Sequence, residues 1–152
     1  MPAYNFQKRF APAVERGEKR QTIRRAMKDA RHGAQAYLYT RQRTAYCRKL
    51  GEWMIAGVLP IEIGRHACGE PYACIADDGK RVHIVHGDLD ALARDDGFEA
   101  AEEMVEWFAA QYGLPFTGFL HQWMPAQQNT EYSATLAHHL RDTTQDGVDH
   151  ED

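Results

Sequence analysis

Long hydrophobic runs are missing from this chain. None of its 152 positions opens a stretch of about 18 apolar residues, so a transmembrane helix is not expected. The segment Met1-Pro2-Ala3-Tyr4-Asn5-Phe6 lacks the basic-then-apolar order of a secretory leader. Cysteine is scarce and odd in number, three in all; that argues against a disulfide framework and points to a reducing cytoplasm. No internal repeat is visible, so a solenoid or propeller is not expected. What remains is enough chain for one domain with its own core.

The net charge of -4 hides an asymmetry. Residues 1–52 hold 13 Lys/Arg against 4 Asp/Glu, a balance of +9, and residues 53–152 carry -13. A basic half in an acidic chain is the usual footprint of a polyanion partner, unless the two halves interleave in space and neutralise each other.

The periodicity gives a mixed order of elements. Tyr4-Asn5-Phe6 reads as a first strand. Phe10 and Val14 share a helical face in a short helix over 8–16, with Pro12 in its first turn and Gly17 at its end. Ala36 to Tyr39 is a strand by aromatic content, and a long β-rich tract runs from Ala45 to Ile63, interrupted by Gly51, Gly57 and Pro60 as bends or bulges. Asp77-Asp78-Gly79-Lys80 joins Tyr72–Ala76 to Arg81–Val85 as a hairpin. The period then changes. Asp88 is placed to cap a short helix with Leu89, Leu92 and Ala93. Ala101, Met104, Val105, Phe108 and Tyr112 fall on one face of a second helix, stopped by Gly113 and Pro115. Phe116 to Trp123 reads as a closing strand.

One stretch carries chemistry: Gly17-Glu18-Lys19-Arg20-Gln21-Thr22-Ile23-Arg24. As a strand, alternation puts Thr22 and Arg24 on one face and Gln21 and Ile23 on the other, with Ile23 towards the core. Lys19 is out of phase with Thr22 and is expected on the turn's rim, bent back towards it. A threonine hydroxyl becomes a nucleophile when a base takes its proton. A lysine serves as that base if burial and cationic neighbours, here Arg20, Arg24 and Arg25, lower its pKa.

Phe10, the Gly17–Arg24 stretch, the β-rich middle, the Arg94-Asp95-Asp96-Gly97-Phe98 turn and the Phe119-Leu120-His121-Gln122-Trp123 strand together resemble the ASCH family, in particular small phage and prophage members, over about residues 4–124. The resemblance implies an α+β, PUA-like fold, a small curved β-barrel with flanking helices, and a cleft suited to RNA or a nucleobase. One bacterial branch of relatives hydrolyses the amide of N4-acetylcytidine with a lysine, a threonine and a glutamate; another relative is described as a ribonuclease. Carried over, these roles fall on Lys19, Thr22 and Asp96, with Arg24 adjoining. Asp96 is a departure, one methylene shorter than the family's glutamate. Asp96 also fits a helix N-cap, with Glu99 at the third helical position.

Arg20, Arg24, Arg25, Arg41 and Arg43, with Tyr39 among the interleaved aromatics, are the expected nucleic-acid or ligand contacts; Tyr37, Tyr46 and Trp53 accompany them as stacking surfaces or as core. His66, Cys68, Cys74, His83 and His86 lie in one segment but match no zinc-knuckle spacing, so neither metal nor other cofactor is expected. The expected division is a domain over 1–125 and a polar, acidic tail over 126–152, disordered or weakly helical along Tyr132, Leu136 and Leu140. The expected partner is RNA or a modified nucleoside, with no membrane. A hydrolase at the same cleft and a host-protein binder are the alternatives.

Overall fold

A computed structural model of the chain describes residues 1–84 and 86–124, apart from the side chain of His86. The tail expected over 126–152, the strand end at Val85 and the ligand role weighed for His86 therefore lie outside the described residues. In chain order the elements are β1 (Ala3–Phe6), α1 (Ala11–Glu15), β2 (Gln21–Arg24), β3 (Gln35–Thr40), β4 (Arg48–Arg65), β5 (Pro71–Asp77), β6 (Lys80–Ile84), α2 (His86–Asp95), α3 (Ala101–Tyr112) and β7 (Phe116–Met124). This is a mixed α+β architecture.

All seven strands join one sheet, organised by β4. One edge of β4 pairs with β3 through Arg48–Met54 and with β5 through Ile61–Arg65, while Met54–Ile63 pair with β7. The expected interruptions do not break the strand. Gly57 lies at a register shift after Ile55, and Pro60 lies where β3 has ended and β5 has not begun, so its missing N–H leaves no ladder position empty on that side. β1 runs parallel to β3, and every other pairing is antiparallel. The sheet does not close into the expected barrel: β2 pairs only with β7, and β1 and β6 end the main strand path.

Two apolar clusters flank this sheet. α2 and α3 bring Leu89, Leu92, Met104, Val105 and Phe108 against Ile23, Ile61, Ile63 and Leu120. α1 brings Ala11 and Val14 against Tyr4, Phe6, Leu38, Ile55 and Trp123. The face expected of α3 is the buried one, except that Tyr112 at its end is 44% exposed. Phe10 packs against both clusters. Lys19 and Asp96 meet beside Phe10 at that seam.

Candidate active site

The end of α1 sets the geometry. Gly17 N–H donates to Val14 O, and Glu18 and Lys19 N–H both donate to Ala13 O at 2.9 and 3.0 Å. The reversal sends Lys19 inward rather than along the rim. Its side chain is only 4% exposed, bent back from the turn as expected but carried further, into the core seam. Nζ donates to Gln21 O at 2.8 Å and to Asp96 O at 2.6 Å. It lies 3.3 Å from Asp96 Oδ1 and 5.3 Å from the Phe10 ring centre. A buried amine is tolerable here because two carbonyls and a carboxylate replace its water.

Asp96 is not the expected N-cap. α3 starts one turn later, its N-cap is Ala100, and no side chain of that residue caps it. Its first amide is met from α2, Ala101 N–H donating to Asp90 Oδ1 at 2.9 Å, and just ahead of the N-cap Glu99 N–H donates to Glu103 Oε2 at 2.8 Å. Asp96 instead closes α2, its N–H donating to Leu92 O and Ala93 O. Gly97 follows with φ of 97°, and a Cβ there would stand 2.6 Å from the Phe10 ring. The turn presses Asp96 under Phe10 and onto Lys19. Oδ1 is buried without a well-aligned hydrogen bond despite the 3.3 Å approach of Nζ, because the amine's short bonds go to the two carbonyls. Burial pushes the Lys19 amine below its ordinary pKa, opposed by Asp96; burial also pushes the Asp96 carboxyl up, opposed by Lys19.

β2 contributes the other groups. Ile23 enters the core as alternation requires. Arg24 Nε donates to Thr22 Oγ1 at 3.3 Å, and its Nη2 donates to Asn5 O at 2.7 Å. The guanidinium rests 5.1 Å from the Phe6 ring and 5.5 Å from the Tyr4 ring. Lys19, Thr22, Arg24 and Asp96 line a single cavity of about 320 Å³ whose other walls include Phe10 and Trp107. A hydroxyl, a fixed cation, a depressed amine and a carboxyl therefore share one aromatic-walled space.

The remaining expected contacts are elsewhere. Arg20 is exposed, with Nε on Gly17 O and its guanidinium 5.7 Å from the Trp53 ring. Arg25 faces a second cavity. Arg41 lines a third beside Tyr46, Arg43 is exposed, and Tyr39 is half-buried on β3. Cys74 Sγ lies 3.3 and 3.4 Å from the two ring nitrogens of His83, and His66 packs on Tyr72. Among the described residues no three His, Cys, Asp or Glu side chains converge as metal ligands.

Sequence reasoning passed over His121. It pairs across the sheet with Thr22 and is 1% exposed. Its Nδ1 is hydrogen-bonded to the Tyr4 hydroxyl at 2.9 Å, and its Nε2 has no partner among the described residues. Burial, reinforced by Arg24, lowers its pKa to about 4 from 6.5. Between those values the unfolded chain binds the proton that the folded chain refuses. The contribution is complete above about pH 6.5 and is lost as pH falls towards 4, amounting to roughly 3 kcal/mol. Denaturant titrations of wild type and His121→Gln over this range are expected to show a flatter acid limb in the variant; parallel curves would contradict it.

No protein-family model, curated protein or solved structure matches this chain.

Proposed function

We propose that this chain is a PUA-like, ASCH-type protein whose Lys19 cavity takes a modified nucleoside, free or within RNA, and hydrolyses an amide on it. The carrying observation is the convergence of Lys19, Thr22, Arg24 and Asp96 on one cavity. A carboxyl beside the buried amine is the feature that favours hydrolysis over simple binding. Supporting the nucleoside are aromatic walls for a base and a positive charge fixed by hydrogen bonds.

The chemistry balances with these groups alone. Burial lowers the Lys19 pKa, so the amine gives up a proton more readily. Its two remaining N–H donors then serve the Gln21 and Asp96 carbonyls, and its lone pair is left to take a proton. Thr22 Oγ attacks the acyl carbon while its proton passes to Lys19 Nζ, and Arg24 Nε stabilises the charge developing on Oγ. The C–N bond breaks, and the leaving amine takes that proton back. Water then cleaves the threonyl ester by the same base, releasing the acid and restoring Thr22. Asp96 holds the amine and shares its charge. Its shorter chain suits its seat, because the helix end already brings the Asp96 carbonyl to within 2.6 Å of Nζ.

Binding without turnover is the second reading. It is favoured by the misaligned Asp96 Oδ1, which leaves the carboxyl short of an ideal grip on the amine. Incubating the purified protein with N4-acetylcytidine separates the two. Equal release of cytidine and acetate supports hydrolysis, saturable binding without release supports recognition alone, and neither result removes the nucleoside reading.

A further inference from the structure

The second cavity, about 760 Å³, adjoins the first. Glu62, Cys74, Arg81, Phe119, Arg25 and Tyr112 are among its walls. Tyr112 lines both cavities, so its ring stands at the partition between them. The ring is partly exposed yet held in place, 5.1 Å from Phe116 and 6.1 Å from Phe108. Consecutive residues at the end of β2 divide between the spaces: Arg24 faces the Lys19 cavity and Arg25 the other. Arg24 is tied down by two hydrogen bonds. Arg25 is exposed, stacks 4.8 Å over Tyr112 and makes no ion pair among the described residues.

Arg25 covers the Tyr112 ring, which so positions an unneutralised guanidinium whose edge suits a phosphate. The half-buried Phe119 in the same cavity wall offers an aromatic face for a base. Arg81 adds a second guanidinium, partly offset by Glu62 at 3.0 Å. Glu62 also offers a carboxylate to an exocyclic amino group. The volume falls in the ordinary range for a bound nucleotide. We infer that the second cavity is a subsite for the nucleotide flanking the target, with the linking phosphate at Arg25. The true substrate is then a nucleoside embedded in single-stranded RNA. This rests on the nucleoside reading of the Lys19 cavity and extends it.

The test compares two probes, free N4-acetylcytidine and a nine-nucleotide uridine RNA carrying N4-acetylcytidine at its centre. Both are titrated by tryptophan fluorescence, since Trp107 lines the first cavity, in a Thr22→Ala background that prevents turnover. The readout is the ratio of the two affinities. The RNA is expected to bind at least about tenfold more tightly, as stacking and one phosphate contact together provide. Arg25→Glu is expected to bring the ratio close to one. Arg31→Glu makes the same charge change at an exposed position lining neither cavity, and is expected to preserve most of it. A ratio near one before any Arg25 change overturns the subsite and leaves the nucleoside reading standing. So does a high ratio that survives Arg25→Glu, or an equal loss with Arg31→Glu. Failure of both probes to bind overturns both readings.

Discussion

Asp96→Ala is expected to cost the folded chain about 3–5 kcal/mol, the largest stability effect of any single change at the site. The reason is what it leaves behind. Lys19 stays buried between two carbonyls and the Phe10 ring, without the carboxyl that offsets its desolvation. Equilibrium unfolding in urea measures the loss. The matched double variant, Lys19→Met with Asp96→Leu, removes both polar groups and keeps the space filled. It is expected to regain most of the stability, because a buried pair replaced by apolar side chains is often neutral or better. A single variant within about 1 kcal/mol of wild type would contradict the buried pairing. A double variant no better than the single would show that the seam depends on the polar groups for its shape.

Thr22→Ala is expected to reduce amide hydrolysis by about a thousandfold or more, the size of loss seen when a nucleophile is removed. Stability should change by only about 1 kcal/mol, since the hydroxyl gives up one hydrogen bond, the 3.3 Å contact from Arg24 Nε. Thr22→Ser keeps the oxygen and is expected to keep most of the rate. The useful comparison is kcat against KM. Loss of the nucleophile lowers kcat and leaves nucleoside binding nearly intact. A Thr22→Ala protein retaining a tenth or more of the rate would mean that water attacks the amide directly, with Lys19 as its base. If kcat held while KM rose, Thr22 would be a binding contact and the recognition reading would gain.

Local physics decided several features that the sequence already displays. Asp77-Asp78-Gly79-Lys80 closes the β5–β6 hairpin with Asp77 opposite Lys80, because the turn's chemistry acts within four residues. The apolar spacing of α3 buries Met104, Val105 and Phe108 because a helix shows every third or fourth side chain to one side. Strand alternation separates Ile23 from Thr22 and Arg24 in the same way. These assignments need only a period and a turn.

The site itself depends on packing between distant segments. Asp96-Gly97-Phe98-Glu99 satisfies the local grammar of a helix start as well as that of a helix end. The choice fell to α2, which runs to Asp95 and presents Asp90 to the first amide of α3. Asp96 was thereby freed for Lys19, 77 residues away in the chain. Lys19 looked like a rim residue because nothing in its neighbourhood announces the carbonyls and rings that replace its water. His121 gave no local signal, since its place opposite Thr22 comes from the β2–β7 register. The basic half diverged for the same reason. Adjacent arginines face different cavities, and which cavities exist is settled by how β4, α3 and β7 come together. Short-range rules fix which face a side chain leaves from; only the tertiary structure fixes what it meets there.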